Sequence, residues 1–338
     1  MKPYSVAGIL LLLSLSAQVA LAQTEAQKDQ AKQQQVQPYN NQPFWGEVRK
    51  SDPAYTSIKG RETGVLIQTY GETWRQLKNA WVTPLVGWAL VLVAAVIGAF
   101  YRWRGSIKVQ GAPTGRLIQR FTPLERYVHW VVAISFSILG VTGLIIMLGK
   151  YVLLPVVGYT LFAWLTQLSK HLHNFAGPVF VVSLLAFIVM FVKDNLPRLY
   201  DIRWLFKAGG MISGEHVPSG KFNAGEKMWF WGGVVFLSLI VSASGLILDF
   251  PNFDQVRAVM IQANLVHAVA AGAVMAISLG HIYLGSIGLE GAYDAMRYGY
   301  VDEAWAKEHH EYWYNDVKSG KIKAGTASGV PVAPQVQH

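Results

Sequence analysis

The chain of 338 residues contains no cysteine. Without thiolates it cannot hold a cysteine-ligated iron–sulfur cluster, and it cannot attach a haem covalently through thioether bonds. Charged side chains are also scarce, at 14% of the residues, whereas soluble domains carry about 25%. The two shortages argue against a water-soluble globular protein and against a cluster-binding protein.

Apolar residues make up 52% of the chain. They are grouped in blocks of about twenty residues, the length at which a helix spans the hydrocarbon core of a bilayer. We therefore predict an all-α fold, a polytopic membrane helical bundle of five spans. The predicted spans are Trp81–Tyr101, Tyr127–Leu148, Leu172–Val192, Met228–Leu248 and Asn264–Ser286. The segment Tyr151–Trp164 is apolar but short and contains Pro155, so we interpret it as an interfacial or re-entrant piece.

The region before the first span is interpreted as exported. Residues 1–22 have a basic start, an apolar run and an A-x-A cleavage site, the pattern of a secretory signal peptide; an uncleaved anchor is the alternative. Residues 23–80 then form a periplasmic N-terminal region that is partly disordered, since residues 23–42 have little to bury. The aromatic residues of the segment 44–81 predict a small ordered appendage. The remaining predicted units are an extra transmembrane helix (81–101), a transmembrane domain (115–290), and a cytoplasmic amphipathic helix with a disordered tail (291–338).

Lysine and arginine are distributed unevenly over the loops. The loops 102–126 and 193–227 hold six each, whereas the two loops on the opposite side hold two and one. By the positive-inside rule the richer loops and the C-terminus are cytoplasmic. A cleaved signal places the mature N-terminus in the periplasm, and five spans then bring the C-terminus inside. We predict a multi-pass protein of the bacterial inner membrane, whose net charge of +9 reflects topology and lipid contact rather than nucleic-acid binding.

Two histidines lie in the fifth predicted span. His267 and His281 are fourteen residues apart, which on a helix is about 21 Å of rise and close to four full turns. Both side chains therefore leave one face of the helix, one near each end. Ionisable side chains inside a membrane are costly and are interpreted first as functional, although a single buried histidine is more often a hydrogen-bonded core residue. Two stacked histidines suit a helix that gives one axial ligand to each of two haems.

Two further histidines lie at matching depths in other spans. The predicted topology sorts the four into an inner pair, His129 with His281, and an outer pair, His173 with His267. Each pair can bracket one iron with neutral imidazoles, and a chain without cysteine favours non-covalent b-type haem. His171 lies two residues before His173, about 200° around a helix, so it is not assigned as a ligand.

Several glycines lie inside the spans, and two interpretations of them are open. Gly143 is expected where the outer porphyrin would press against its helix. Gly177, Gly245 and Gly272 are also interior to spans. The alternative is that these small residues only let transmembrane helices approach closely.

The stretch GKFNAGEKMWFW (220–231) is polar and glycine-containing before it enters the fourth span. Asn223 is a candidate hydrogen-bond partner for a quinone carbonyl, Gly225 would let a ring approach the backbone, and Glu226 or Lys227 would handle protons. An ordinary helix-capping loop is the equally weighted alternative.

Three shorter features complete the pattern. Thr122, Pro123 and Glu125 fit the first positions of a capped helix. Arg126 is placed by position as a partner of the inner haem. The motif KEHHEYWY (307–314) is assigned to a cytoplasmic amphipathic helix, where a solvated or subunit-contact surface is expected rather than a metal site.

These motifs together resemble the cytochrome b (gamma) subunit of respiratory formate dehydrogenase over residues 115–318. The segments that carry the resemblance are RYVHW (126–130), HNFAG (173–177), KFNAGEKMWFW (221–231), NLVHAVAAG (264–272), LGHIY (279–283) and KEHHEYWY (307–314). The histidine pattern is shared with cytochromes b of hydrogenases and thiosulfate reductases. The NAGEK stretch and the HH–aromatic tail are more particular to formate dehydrogenase.

The resemblance implies a four-helix dihaem core, to which residues 81–101 add one N-terminal helix. It implies that His173 and His267 ligate the outer haem and that His129 and His281 ligate the inner one. It also implies a quinone site at Asn223 and Gly225, near His281. The expected partners are a catalytic subunit with a molybdenum or tungsten pterin, an iron–sulfur subunit, quinone and membrane lipid. The hypothesis is that the subunit passes electrons from formate oxidation inward across the membrane to quinone.

Three rival functions are open at the level of sequence. One is the cytochrome b of a hydrogenase or of another molybdoenzyme. A second, from a different class, is a transporter that uses intramembrane histidines for protons or metal ions. A third is a passive membrane anchor.

Overall fold

Nine helices and one short 3-10 helix, Ala208–Gly210, are found in the computed structural model, which describes residues 70–210, 213–251, 253, 255–324 and 326–327. The nine are numbered α1 to α9. They are α1 (Gly71–Arg104), α2 (Pro123–Val152), α3 (Leu154–Phe191), α4 (Leu199–Phe206), α5 (Ala224–Asp249), α6 (Arg257–Gly288), α7 (Ala292–Tyr298), α8 (Glu303–His309) and α9 (Glu311–Lys318). Five of them (α1, α2, α3, α5 and α6) are long and apolar enough to span a membrane. The predicted fold class, a polytopic helical bundle of five spans, is confirmed.

Met1–Tyr70 and Gly71–His338 are separate units, and only the second is described below. The predicted signal peptide (1–22), the disordered stretch (23–42) and most of the predicted appendage (44–81) lie outside the described residues. The last residues of the predicted appendage, from Gly71 onward, are part of a long helix. They belong to α1, which begins at Gly71 rather than at Trp81.

Helices α2 and α5 begin with the same capping device. At α2 the Thr122 hydroxyl accepts from the Glu125 backbone N–H, and the Glu125 carboxylate accepts from the Thr122 N–H. This confirms the predicted helix start. At α5 Asn223 and Glu226 make the corresponding two bonds, at 3.0 and 2.8 Å. Each box satisfies two backbone donors that would otherwise lack partners at a helix N-terminus.

The two helices also correspond beyond their caps. The starts RFTPLER (120–126) and KFNAGEK (221–227) are 101 residues apart, whereas Thr142-Gly143 and Ser244-Gly245 further along are 102 apart. Helix α5 contains a π-helical stretch, Trp229–Leu237, between those two points. A π turn takes up one additional residue without ending a helix, so it accounts for the difference in spacing. Helix α2 packs along α3 and α5 along α6, which makes two corresponding helical hairpins.

The segment Tyr151–Trp164, predicted as an interfacial or re-entrant piece, is not a separate element but is divided between the end of α2 and the start of α3. Helix α2 continues to Val152, and α3 starts at Leu154 and runs for 38 residues with a kink at Gly158, where φ is 75°. After Gly158 the uninterrupted helix 159–191 has 33 residues and rises about 50 Å, beyond the hydrocarbon core of about 30 Å. Helix α3 is therefore longer than the predicted span Leu172–Val192, and the interfacial location of its first turns stays a prediction.

Helix α1 packs against α6 at a glycine. A Cβ added at Gly272 would lie 2.6 Å from a methyl group of Val86, so only glycine allows this separation of the two helices. For Gly272 the interpretation as a small residue at a helix crossing is the one that the structure supports.

The segment after α6 folds back as a compact C-terminal cap, defined here as α7, α8, α9 and a small sheet. The sheet has strands β1 (Leu117–Gln119), β2 (Tyr300–Asp302) and β3 (Thr326–Ala327) in the order β2-β1-β3. Both pairings are antiparallel, with Ile118 opposite Val301 and Thr326. The sheet was not predicted, because strands of two or three residues carry no alternating pattern.

The predicted solvated surface for KEHHEYWY is also wrong in its central residues. The motif is divided between α8 and α9, and the residue between them, His310, is 1% exposed. Trp313 is 3% exposed. The His310 ring nitrogen Nδ1 lies 2.7 Å from the Gly220 carbonyl, and the Ser219 hydroxyl donates to the His309 carbonyl at 2.6 Å. The tail therefore anchors the loop that leads into α5.

Burial makes the C-terminal cap sensitive to acid. The pKa of His309 is lowered from 6.5 to about 4, first by burial and then by repulsion from Arg120 and His216; burial also lowers the pKa of His310. Because the unfolded chain takes up a proton near pH 6.5 and the native chain does not, stability is complete above pH 6.5 and falls between pH 6.5 and about 4. The shift of His309 corresponds to about 3 kcal/mol.

We expect hydrogen exchange of residues 303–318 to become faster, after correction for intrinsic rates, as the pH is lowered from 7 to 5. His309→Gln should reduce this dependence, because it removes one of the two protonation sites. His171→Gln is the matched control, since His171 is exposed on α3. An unchanged pH dependence in His309→Gln would contradict the assignment.

Candidate functional site

The four predicted histidines meet in the two predicted pairs. The ring centroids of His129 and His281 are 6.4 Å apart, and those of His173 and His267 are 6.1 Å apart. A metal–imidazole bond is about 2 Å long, and the ring centroid lies about 1 Å further back. Two imidazoles on opposite sides of one iron would thus have centroids about 6 Å apart, which both pairs match.

The outer pair is hydrogen-bonded through Nδ1. Thr142 Oγ1 lies 2.9 Å from Nδ1 of His173. On the other ligand, Nδ1 of His267 lies 3.0 Å from the Val241 carbonyl and 3.3 Å from Ser244 Oγ. With Nδ1 used in this way, Nε2 is the nitrogen of each ring that remains for a metal.

Glycines lie directly under both outer rings. A Cβ at Gly143 would approach His173 Cε1 to 3.3 Å, and a Cβ at Gly245 would approach His267 Cε1 to 3.0 Å. Gly143 was predicted to lie against a porphyrin, but it faces the imidazole of the ligand itself. At Gly177 no side chain lies within 4 Å of an added Cβ.

The inner pair is held by aromatic packing. The His281 ring stacks on Trp229 with centroids 5.1 Å apart and planes 16° from parallel. The Trp229 ring lies over its own helix, where a Cβ at Gly233 would come within 2.2 Å of it. Nδ1 of His129 is buried and has no hydrogen-bond partner among the residues that the structure describes. Trp229 was not predicted as a site residue. The one-residue difference in spacing between α2 and α5 is the feature of the sequence from which its π turn could have been predicted.

The donor set fits b-type haem. Each pair joins helices of the two different hairpins, so that one iron would have a ligand from each side. The four donors are imidazole nitrogens, which are neutral ligands of the kind that low-spin haem iron takes. Fourteen residues separate the pairs along α6, which is about 21 Å of helix. The groups present are therefore those required for two bis-histidine haems at two depths.

The predicted quinone-site residues lie in the loop and first turn of α5. Asn223 Oδ1 is used in the capping box, which supports the capping interpretation of this stretch. The ring that approaches the backbone at Gly225 is the indole of Trp204, 2.9 Å from an added Cβ. Lys227 is 5% exposed and pairs with Asp201 at 2.8 Å, a structural ion pair between α5 and α4.

Two arginines occupy this end of the bundle. Arg120 donates to Glu226 at 2.9 Å and to the Lys221 carbonyl at 2.8 Å. Arg126 donates to the backbone carbonyls of Met296 and Arg297, at the C-terminal end of α7. These bonds cap the C-terminal end of α7, and the place of Arg126 beside the inner haem stays a prediction.

Five apolar spans with two bis-histidine pairs define a polytopic membrane cytochrome b. The model of the family described as prokaryotic cytochrome b561 matches residues 120–297, more than half of the chain. The chain belongs to this family.

Three relatives extend the comparison. The chain is 33% identical over 208 residues to the formate dehydrogenase cytochrome b556(fdo) subunit of Escherichia coli K12, covering 60% of this chain and 93% of the relative. It is 29% identical over 226 residues to the nitrate-inducible formate dehydrogenase cytochrome b556(Fdn) subunit of the same strain, covering 64% and 98%. A formate dehydrogenase cytochrome b556 subunit of Haemophilus influenzae is 28% identical over 229 residues, covering 64% and 90%.

Proposed function

We propose that this chain is the membrane-anchoring dihaem cytochrome b subunit of a formate dehydrogenase. The observation that carries the proposal is that two pairs of histidines face each other between the two hairpins of the bundle, with ring centroids 6.1 and 6.4 Å apart. The names of the relatives support formate dehydrogenase as the complex. An anchor without a redox role would have no need of four histidines paired at these distances.

His173 and His267 hold the outer haem and His129 and His281 hold the inner one in this proposal. When bound, the haems supply one-electron transfer between two depths of the membrane. The chain itself binds and orients them through Nε2 of the histidines, while the apolar helix faces exclude water. An iron–sulfur subunit and a pterin-containing catalytic subunit deliver the electrons of formate oxidation, because a chain without cysteine holds no cluster.

Quinone is the proposed electron acceptor, with Asn223 and Gly225 as its binding residues near His281. Two observations support this end of the bundle. The Asn223 side chain is only half-buried, and ionisable groups are concentrated beside it, in Glu226, Arg120 and Lys221. Quinone reduction consumes protons, and in this proposal the cytoplasm, the side predicted for this end of the bundle, supplies them through these groups.

The test of the proposed function is a reduced-minus-oxidised spectrum of the purified chain with haem quantified per polypeptide, followed by formate addition to membranes. Two b-type haems that formate reduces support the proposal. No haem would leave a transporter or an anchor. Two haems reduced by another donor and not by formate would assign the chain to a different oxidoreductase complex.

Asn223 offers a separate test of the quinone site. Asn223→Asp keeps a good N-cap, whereas Asn223→Ala loses the cap at a cost of about 1 kcal/mol. We expect both variants to raise the KM for quinone, since both lose the amide, but only Asn223→Ala to lower the thermal midpoint. Thr122→Ala, at the corresponding cap of α2, is the control that should lower stability without changing the KM. A normal KM for quinone in Asn223→Asp would exclude the residue from the site.

A further inference from the structure

We propose that the chain gives its outer histidine pair more electron-donating character than its inner pair, and thereby gives the outer haem the lower reduction potential. This inference rests on the proposed function, since it requires two haems. It concerns residues that touch the ligands and not the iron, namely Thr142, Val241 and Ser244 beside the outer pair and Trp229 beside the inner pair.

The direction of the hydrogen bond between Thr142 and His173 follows from the partners of the hydroxyl. Thr142 Oγ1 donates its only proton to the Ile138 carbonyl, at 2.6 Å. It must therefore act as acceptor towards His173, 2.9 Å away. Nδ1 of His173 carries the proton, and its Nε2 presents a lone pair.

The corresponding hydrogen bond at His267 has the same direction. The Val241 carbonyl, 3.0 Å from Nδ1 of His267, can only accept. The Ser244 hydroxyl donates to the Ile240 carbonyl at 2.6 Å and is a second acceptor for the ring, at 3.3 Å. Both outer imidazoles are thus Nδ1–H donors to oxygen atoms of the preceding helix.

The inner pair has different surroundings. Nδ1 of His129 is buried without a hydrogen-bond partner among the described residues, and Phe187 lies 6.2 Å from its ring. His281 stacks on the face of Trp229, and the Glu226 carboxylate in its neighbourhood is paired with Arg120 at 2.9 Å, so the charge of that carboxylate is compensated. Because the two ring planes are 16° from parallel, an N–H of His281, which lies in its own ring plane, does not point at the indole face.

This difference acts on a metal through the ligand. An imidazole whose N–H donates a hydrogen bond is a more basic ligand, and more electron donation stabilises the oxidised metal and lowers its potential. Hydrogen bonds around the ligands are one of the means by which a protein sets a haem potential. The order that results, outer lower than inner, makes the transfer of an electron from the outer to the inner position favourable.

The test is a spectroelectrochemical titration of both haems in the purified complex with Thr142→Val, an isosteric change that removes the hydroxyl acceptor 2.9 Å from His173. We expect the outer potential to become more positive and the inner potential to stay unchanged. The Leu139 carbonyl also faces His173, so the hydrogen bond is weakened rather than abolished. Ser244→Ala should give a smaller shift in the same direction, because His267 keeps the nearer Val241 carbonyl.

Two controls match these changes in chemistry. Thr166 donates to a backbone carbonyl of its own helix at 2.8 Å, so Thr166→Val removes the same hydroxyl away from the ligands. Ser238, like Ser244, is buried in α5 and bonded to its own helix, to Gly233 at 2.8 Å. Thr166→Val and Ser238→Ala should leave both potentials unchanged.

The outcomes separate this inference from the proposed function. Two haems reduced by formate, with an outer potential that does not move in Thr142→Val or in Ser244→Ala, would overturn the inference and leave the function intact. An outer haem that already has the higher potential in the wild-type complex would also overturn the inference. The outer haem is identified in the titration as the one that His267→Ala removes. If Thr142→Val does not assemble, the order of potentials in the wild type and the shift in Ser244→Ala still decide.

Discussion

His281→Ala is expected to reduce the haem content from two per chain to one and to abolish quinone reduction by formate. Its ring is half of the inner pair, at 6.4 Å from His129, and an alanine has no atom that reaches a metal there. The outer pair should keep its haem, because it lies about 21 Å away along α6 and shares no hydrogen-bond partner with the inner pair among the residues that the structure describes. The measurements are haem quantification, the difference spectrum and formate-dependent quinone reduction in membranes.

His129→Ala should have the same phenotype as His281→Ala, since either change removes one side of the same pair. His171→Ala is the control: His171 is exposed and lies two residues from an outer ligand, so it should keep both haems. Retention of two haems in His281→Ala would refute the assignment of this ligand.

His267→Ala is expected to uncouple formate from the inner haem. The variant loses the partner that lies 6.1 Å from His173, and with it the outer haem. The inner haem should remain bound and should still be reduced by quinol added from its own end of the bundle. Its reduction by formate should become very slow, because electron tunnelling decreases exponentially with distance and the intermediate position is gone.

The two variants therefore have opposite signatures. With formate as donor, the remaining haem should be reduced in His281→Ala and should stay oxidised in His267→Ala. Normal reduction of the inner haem by formate in His267→Ala would show that electrons enter elsewhere, and the relay between the two depths would have to be abandoned.

The cap of α2 and the pairing of the four histidines were predictable for a local reason. A capping box depends on residues three positions apart, and depth in a membrane follows from counting residues along a helix. The start of α3 and the tail were predicted less well. Whether Tyr151–Trp164 joins the next helix, or whether His310 points inward, depends on neighbours that no window of sequence contains.

By itself the sequence determined the five spans, the absence of any cysteine-bound redox centre, and the four histidines at two depths. These follow from hydrophobic length, composition and helical periodicity, which are properties of single segments. Only the tertiary structure decided which oxygen atoms lie beside Nδ1 of each outer ligand, that Trp229 stacks on His281, and that the C-terminal tail is buried against the loop before α5. Those features come from contacts between distant residues, such as Thr142 with His173, 31 positions apart, and His310 with Gly220, 90 apart. They are set by how the helices pack, and packing is a property of the whole bundle.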